Sequence, residues 1–215
     1  MKKMKGAAMV YVSIKKTTTM TDEQTEKKTK SWRVIKCDDN AEFIGSILSR
    51  KNAESRQNSI EAYALLDFML SSLTDIKKAV LRRSENGKPY IENEIISFNL
   101  SHTDGAVACI IDTDGESVGI DAEPIGRNRE KIIERFFDEK ARQEYAASSD
   151  KPLEFARIWT EKEAYAKFTG GGLSNYSTEY PATCKFTHWI HDDFFVTACT
   201  ASESTVRFWQ NDEDC

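Results

Sequence analysis

Glu61-Ala62-Tyr63-Ala64 recurs as Glu163-Ala164-Tyr165-Ala166, and each copy falls inside a stretch whose spacing predicts a long helix. Around the first copy, between Ile60 and Val80, Ala62, Leu65, Leu66, Met69, Leu70 and Leu73 return at helical intervals, which gives the helix one apolar face. Around the second, Asp150 and Pro152 form a start signal, because Asp accepts orphan amides and Pro is shaped for the first helical turn. That helix runs to about Phe168, where Gly170-Gly171-Gly172 stops it. Further out, residues 7–14 read as a strand, 15–30 as a loop or weak helix, and Phe43 to Leu48 as helical. Asn86-Gly87-Lys88-Pro89 is a turn. Strands near 95–100 and 106–112 flank the hairpin signal Asp104-Gly105, and Asp114-Gly115 leads to a third at 117–123, together an antiparallel meander. Residues 128–147 are helical, with Asp138 as the cap of a second segment. Strands at 184–190, 194–200 and 206–209 complete the chain. Both halves read as strand, long helix and hairpin, which suits two similar α+β subdomains.

Composition narrows the function classes. The 215 residues are 40% hydrophobic and 10% aromatic, enough for a substantial core. A net charge of −5 argues against broad nucleic-acid binding, which draws on clustered Lys and Arg. Five dispersed cysteines, without the close pairing of zinc or redox motifs, read as reduced cytosolic thiols. No apolar run approaches the roughly 20 residues of a membrane span, so the expectation is a soluble, intracellular protein with no membrane partner.

Three features carry chemistry. In Val118-Gly119-Ile120-Asp121-Ala122-Glu123, strand period two sends Asp121 and Glu123 to one face. Two carboxylates this close repel unless they are solvated or share a cation, and oxygen ligands suit Mg²⁺; a solvated outer strand face is the plainer reading of the pair alone. In Trp159-Thr160-Glu161-Lys162-Glu163-Ala164-Tyr165-Ala166-Lys167, Glu163 and Lys167 lie one turn apart. They read either as a metal and phosphate pair or as an exposed ion pair; a capping box at Thr160 is set aside because the apolar period begins before it. In Phe98-Asn99-Leu100-Ser101-His102-Thr103, His102 stands at a strand end, a common place for a ligand-binding side chain, although a lone histidine is more often structural. Lys88 follows Gly87 in a turn able to approach a phosphate. His188, His191 and Asp192 lack the ligand spacing of a zinc site.

Gly87-Lys88-Pro89, the Phe98–Thr103 block, Gly119–Glu123 and Trp159–Lys167, in this order and spacing, resemble the signature blocks of Sfp-type 4'-phosphopantetheinyl transferases; Phe136-Phe137 and the stretch ending at Leu173-Ser174 also fit. The resemblance covers residues 87 to 174. It implies an α+β pseudo-dimer, with subdomains 1–113 and 114–215 about an approximate twofold and coenzyme A in the cleft between them. It implies Mg²⁺ on Asp121, Glu123 and Glu163, with Glu163 also the base and Lys167 engaging the phosphate. Lys88, Ser101 and His102 are implied coenzyme A contacts, and Arg50, Lys51 and Arg56 correspond to the basic residues around the 3'-phosphate. The implied partner is an apo acyl or peptidyl carrier protein, the enzyme acting as a monomer, with apolar residues around 130–175 as the docking surface. Two other classes use similar residues: a metal-dependent pyrophosphate hydrolase needs no acceptor protein, and a non-catalytic carrier-binding module does not need the acidic set.

Overall fold

The computed structural model describes residues 9–127, 129–174 and 179–209. Strand β1 (Met9–Lys16) pairs antiparallel with β5 (Ala106–Asp112), which pairs antiparallel with β4 (Ser97–Thr103). The last strand of the chain, β9 (Thr205–Phe208), adds parallel to the other edge of β1, giving the order β4-β5-β1-β9. A second sheet holds β6 (Val118–Pro124), β8 (Phe194–Ala201) and β7 (Cys184–His191) in the order β6-β8-β7. A small hairpin, β2 (Leu81–Arg83) with β3 (Pro89–Ile91), stands apart.

The expected meander is not formed. β6 pairs with β8 rather than with β5. The edge of β5 that a third strand would need is taken by β1, and the turn after β5 redirects the chain. There Asp112 Oδ1 accepts the amides of Asp114 at 2.8 Å and Glu116 at 3.1 Å, and Gly115 takes φ +84. The amides are held by a side chain, so the turn leads out of the sheet instead of closing a hairpin.

Strand alternation places the core. Val10, Val12 and Ile14 of β1, Ala108 and Ile110 of β5, Ile120 and Ala122 of β6, and Val196 and Ala198 of β8 form one apolar cluster between the two sheets. The opposite face of the first sheet, with Phe98, Val107, Cys109 and Ile111, is covered by α3 (Ala53–Leu73) through Ile60, Leu66, Met69 and Leu70. Each such side chain stabilises by about 1.5–3 kcal/mol when fully buried. The outer face of the second sheet is covered by α6 (Lys151–Thr169), so the layers run helix, sheet, sheet, helix. Gly119 of β6 permits a close approach: a Cβ there would stand 2.0 Å from the Ala164 carbonyl oxygen and 2.6 Å from the Phe168 nitrogen.

The shorter helices are α1 (Asp22–Lys30), α2 (Ala41–Leu48), α4 (Glu130–Phe136) and α5 (Glu139–Ala147). Segment 15–30, expected as a loop or weak helix, contains α1 behind a Thr21/Gln24 capping box. The long helix expected from Ile60 begins instead at Ala53, capped by Asn52, and stops at Leu73. Asp138 and Asp150 cap α5 and α6 as their sequence positions predict. Among the described residues, no helix is long and apolar enough to cross a membrane.

Candidate active site

β6 directs Val118, Ile120 and Ala122 into the core, which leaves Asp121 and Glu123 on the face under α6. This face is not solvated: Asp121 is 5% exposed and Glu123 8%. From α6, Glu163 and Lys167 project one turn apart toward the same strand, each side chain 26% exposed. Lys167 Nζ donates to Asp121 Oδ1 at 2.7 Å, to the Ile120 carbonyl at 3.0 Å and to Ser101 Oγ at 3.1 Å. Ser101 Oγ in turn donates to Asp121 Oδ1 at 2.7 Å. Strand β4 is registered on β6 by Asn99, whose Oδ1 accepts the Ile120 amide at 3.1 Å. Thr160 lies inside α6 and donates to the Ala156 carbonyl, and its Oγ1 is 2.6 Å from Thr197 Oγ1 of β8, which pins the middle of the helix to the sheet.

Three carboxylates thus lie close together, Asp121 and Glu163 against the Lys167 ammonium and Glu123 toward the Arg129 and Arg127 charges. Burial pushes the Glu163 acid up, and the nearby Asp121 and Glu123 charges push it further against the pull of Lys167, to about 7. Burial and the Asp121 charge also raise Glu123, partly offset by Arg129, Arg127 and the Trp159 indole hydrogen bond. Glu163 and Lys167 stand 3.9 Å apart, each only 26% exposed, and Lys167 Nζ lies closer to Asp121, so the pair is not an ordinary exposed one.

The other residues singled out from the sequence border this cluster. His102 sits at the exposed end of β4, held below the usual histidine range by surrounding protein and by the Lys167 and Arg50 charges. It lines a cleft of about 540 Å³ with Glu123, Arg127 and Arg129 on one side and Asn52, Ser55 and Asn58 of the α3 entry on the other. Arg50 donates to Ser59 and Ser55, Arg56 donates to the Arg50 carbonyl at 2.9 Å, and Lys51 is exposed beside them. Lys88 turns inward, its Nζ against the carbonyls of Lys167 and Val118.

Sequence reasoning missed Arg127 and Arg129, which supply positive charge to the acidic side of the cleft, and Trp159, whose indole meets Glu123 and packs on Phe136 with ring centroids 5.3 Å apart. The signal was two arginines within six residues of Glu123. The donor set is all oxygen, and Glu123 Oε2 is buried without a hydrogen-bond partner, which fits a hard divalent cation. With Lys167 on Asp121, no group of three or more acids, histidines or cysteines among the described residues is close enough to hold an ion in this arrangement.

Comparison with known proteins gives the cluster a context. Residues 117–214 match the model of the 4'-phosphopantetheinyl transferase superfamily. The chain is 38% identical over 99 residues to 4'-phosphopantetheinyl transferase gsp of Aneurinibacillus migulanus, covering 44% of this chain and 39% of that protein. It is 31% identical over 160 residues to 4'-phosphopantetheinyl transferase AcpT of Escherichia coli K12, covering 70% of this chain and 78% of the relative. Its 29% identity over 140 residues to the L-aminoadipate-semialdehyde dehydrogenase-phosphopantetheinyl transferase of Saccharomyces cerevisiae covers 60% of this chain and 52% of that one. The chain therefore spans about half or less of the length of some relatives and most of another.

Proposed function

The chain belongs to the 4'-phosphopantetheinyl transferase superfamily, and from that premise we propose that it transfers the 4'-phosphopantetheine group of coenzyme A to a serine hydroxyl of an apo carrier protein, releasing adenosine 3',5'-bisphosphate. The observation that carries this reading is the convergence of Asp121 and Glu123 from β6, Glu163 and Lys167 from α6 and Ser101 from β4 on one poorly hydrated cluster.

In the proposed reaction the serine oxygen attacks the β-phosphorus and the bond to the bridging oxygen of the nucleotide breaks. Glu163 takes the hydroxyl proton, directly or through one water; a carboxylate raised to about 7 is a better base near neutral pH than an ordinary glutamate. Lys167 offsets charge on the pyrophosphate, the main demand of phosphoryl transfer. Asp121, Glu123 and Glu163 would hold Mg²⁺, which supplies Lewis-acid stabilisation of the pyrophosphate oxygens when bound. Ser101 and His102 contact coenzyme A, and Arg50, Lys51 and Arg56 receive the 3'-phosphate. Lys88, expected in the same set, holds its ammonium against two protein carbonyls. The helix, sheet, sheet, helix layering supports a pseudo-twofold pair of subdomains, 1–113 and 114–215, with β9 of the second added to the sheet of the first and the substrate between them. We place the enzyme in the cytosol as a monomer, in keeping with the free cysteines at 37, 109, 184 and 199.

Incubation with Mg²⁺, coenzyme A and a panel of apo acyl and peptidyl carriers, followed by intact-mass measurement, tests the reading. The expected result is a carrier heavier by one phosphopantetheine and no turnover of coenzyme A without carrier. Carrier-independent cleavage would make the chain a hydrolase, and no reaction with any carrier would reject the transferase assignment.

A further inference from the structure

We propose that Lys88 is a positioning residue, whose ammonium clamps the last turn of α6 onto the first residue of β6 and thereby sets Glu163 and Lys167 against Asp121. The role lies in the proposed active site, and only its kinetic arm rests on the transferase reading.

Lys88 Nζ donates to the Lys167 carbonyl at 2.8 Å and lies 3.4 Å from the Val118 carbonyl. The last four carbonyls of a helix have no partner within it, and a cation at that end also meets the negative pole of the helix. A second tie sits beside the first: Ser117 Oγ donates to the Phe168 carbonyl at 2.6 Å. Between these ties lies Gly119, where the backbones of α6 and β6 approach too closely for any Cβ. Lys167 is therefore gripped twice, through its carbonyl by Lys88 and through its ammonium by Asp121, Ser101 and the Ile120 carbonyl.

The anchor is itself fixed. The Ser84 amide donates to the Lys88 carbonyl at 2.9 Å, the Gly87 amide donates to the Ser84 carbonyl at 2.8 Å, and Ser84 Oγ accepts the Lys88 amide at 3.1 Å. Pro89 opens β3 directly afterwards, in register with Arg83. Half-burial also draws the Lys88 ammonium below the usual lysine range, as befits a group sealed against protein carbonyls. The clamp thus ties the hairpin of residues 81–91 to the helix that carries Glu163. A phosphate contact, by contrast, would need an ammonium aimed into the cleft.

Amide hydrogen exchange on the purified protein decides between them. Losing one hydrogen bond from a charged donor should speed exchange at residues 164–170 of Lys88→Met about tenfold, with protection recovered in Lys88→Arg. With coenzyme A and a carrier, Lys88→Met should lower kcat about tenfold while KM for coenzyme A stays within about twofold, since transition-state alignment is lost and ground-state binding is not. Unchanged exchange at 164–170 would overturn the clamp, whatever the enzyme does. So would a KM for coenzyme A raised about tenfold with kcat preserved, the signature of a substrate-binding lysine. If the wild type transfers nothing, the transferase reading fails and exchange alone judges Lys88. If Lys88→Met does not fold, Lys88→Gln keeps an N–H donor without the charge and is read by the same outcomes.

Discussion

α3 and α6 carry the same four residues, Glu-Ala-Tyr-Ala, and use the glutamate in opposite ways. Glu61 of α3 is 3% exposed and takes a hydrogen bond from Lys28 Nζ of α1 at 2.5 Å. The strands beneath α3 offer Val107, Cys109 and Ile111, so no second acid competes for that cation from below. Asp67, the other buried acid of α3, is equally structural, accepting the amides of Arg33, Val34 and Ile35 at 2.7–2.8 Å. Glu163 of α6 lies over a strand that offers Gly119, Asp121 and Glu123, and it shares the Lys167 ammonium with Asp121 while the Glu123 charge presses on it as well. Identical helix residues become a structural ion pair or a charged site according to the strand they cover. Surplus charge held by a fold is what a substrate or cation can relieve.

The largest expected effect is on turnover. Glu163→Gln should reduce transfer to a carrier by about 10²- to 10⁴-fold, the usual contribution of a general base, whereas Glu61→Gln should leave kcat within about twofold. Equal losses in a carrier-mass time course would mean that the two glutamates are not functionally distinct. Stability should move in opposite directions. Glu61→Gln removes a charge-assisted hydrogen bond and should cost about 1.5–3 kcal/mol in urea unfolding. Glu163→Gln should stabilise the metal-free protein. The Glu163 acid sits near 7 in the folded state against an ordinary 4.5, so the folded chain holds that proton more tightly and stability falls as pH rises between those values. Replacing it should therefore add on the order of 3 kcal/mol at pH 8 and almost nothing near pH 4. A Glu163→Gln protein less stable than wild type at pH 8 would mean that the three acids do not strain one another.

The order of short motifs from Gly87 to Lys167 pointed to this cluster because each carries residues the chemistry needs, and helix α6 announced itself through Asp150, Pro152 and Gly170. Asp121 and Glu123 alone favoured the solvated-face reading, since a two-residue period says which side chains share a face and nothing about what covers it. Their burial depends on α6, about 40 residues later, reaching them over Gly119. Strand partners were illegible for the same reason: Asp114-Gly115 looks like a hairpin, but a local signal cannot show that β1 already occupies the edge of β5. Helix α1 lacks apolar periodicity, yet its Thr21-x-x-Gln24 capping box stood in the sequence unread. Arg127 and Arg129 had no motif to mark them and gained significance only from the cleft they line.

The smallest expected effect distinguishes the ends of the two helices. α3 stops at Thr74 in extended backbone, where the Thr74 hydroxyl donates to the Leu70 carbonyl at 2.7 Å. α6 stops at Gly170 with φ +71, its amide returning to the Ala166 carbonyl at 2.9 Å. An added Cβ at 170 meets no atom within 4 Å, so Gly170→Ala carries only the cost of a left-handed backbone, about 1 kcal/mol. Asn tolerates that conformation better, and Gly170→Asn should recover about half of the loss. Both are read from urea midpoints at unchanged slope. A cost for Gly170→Ala below about 0.5 kcal/mol, the level of an ordinary surface substitution, would show that the end of α6 relaxes freely. The turn bearing Lys167 would then depend on the grip of Lys88, Ser117 and Asp121, and the glycine that ends the helix would matter no more than the threonine that ends α3.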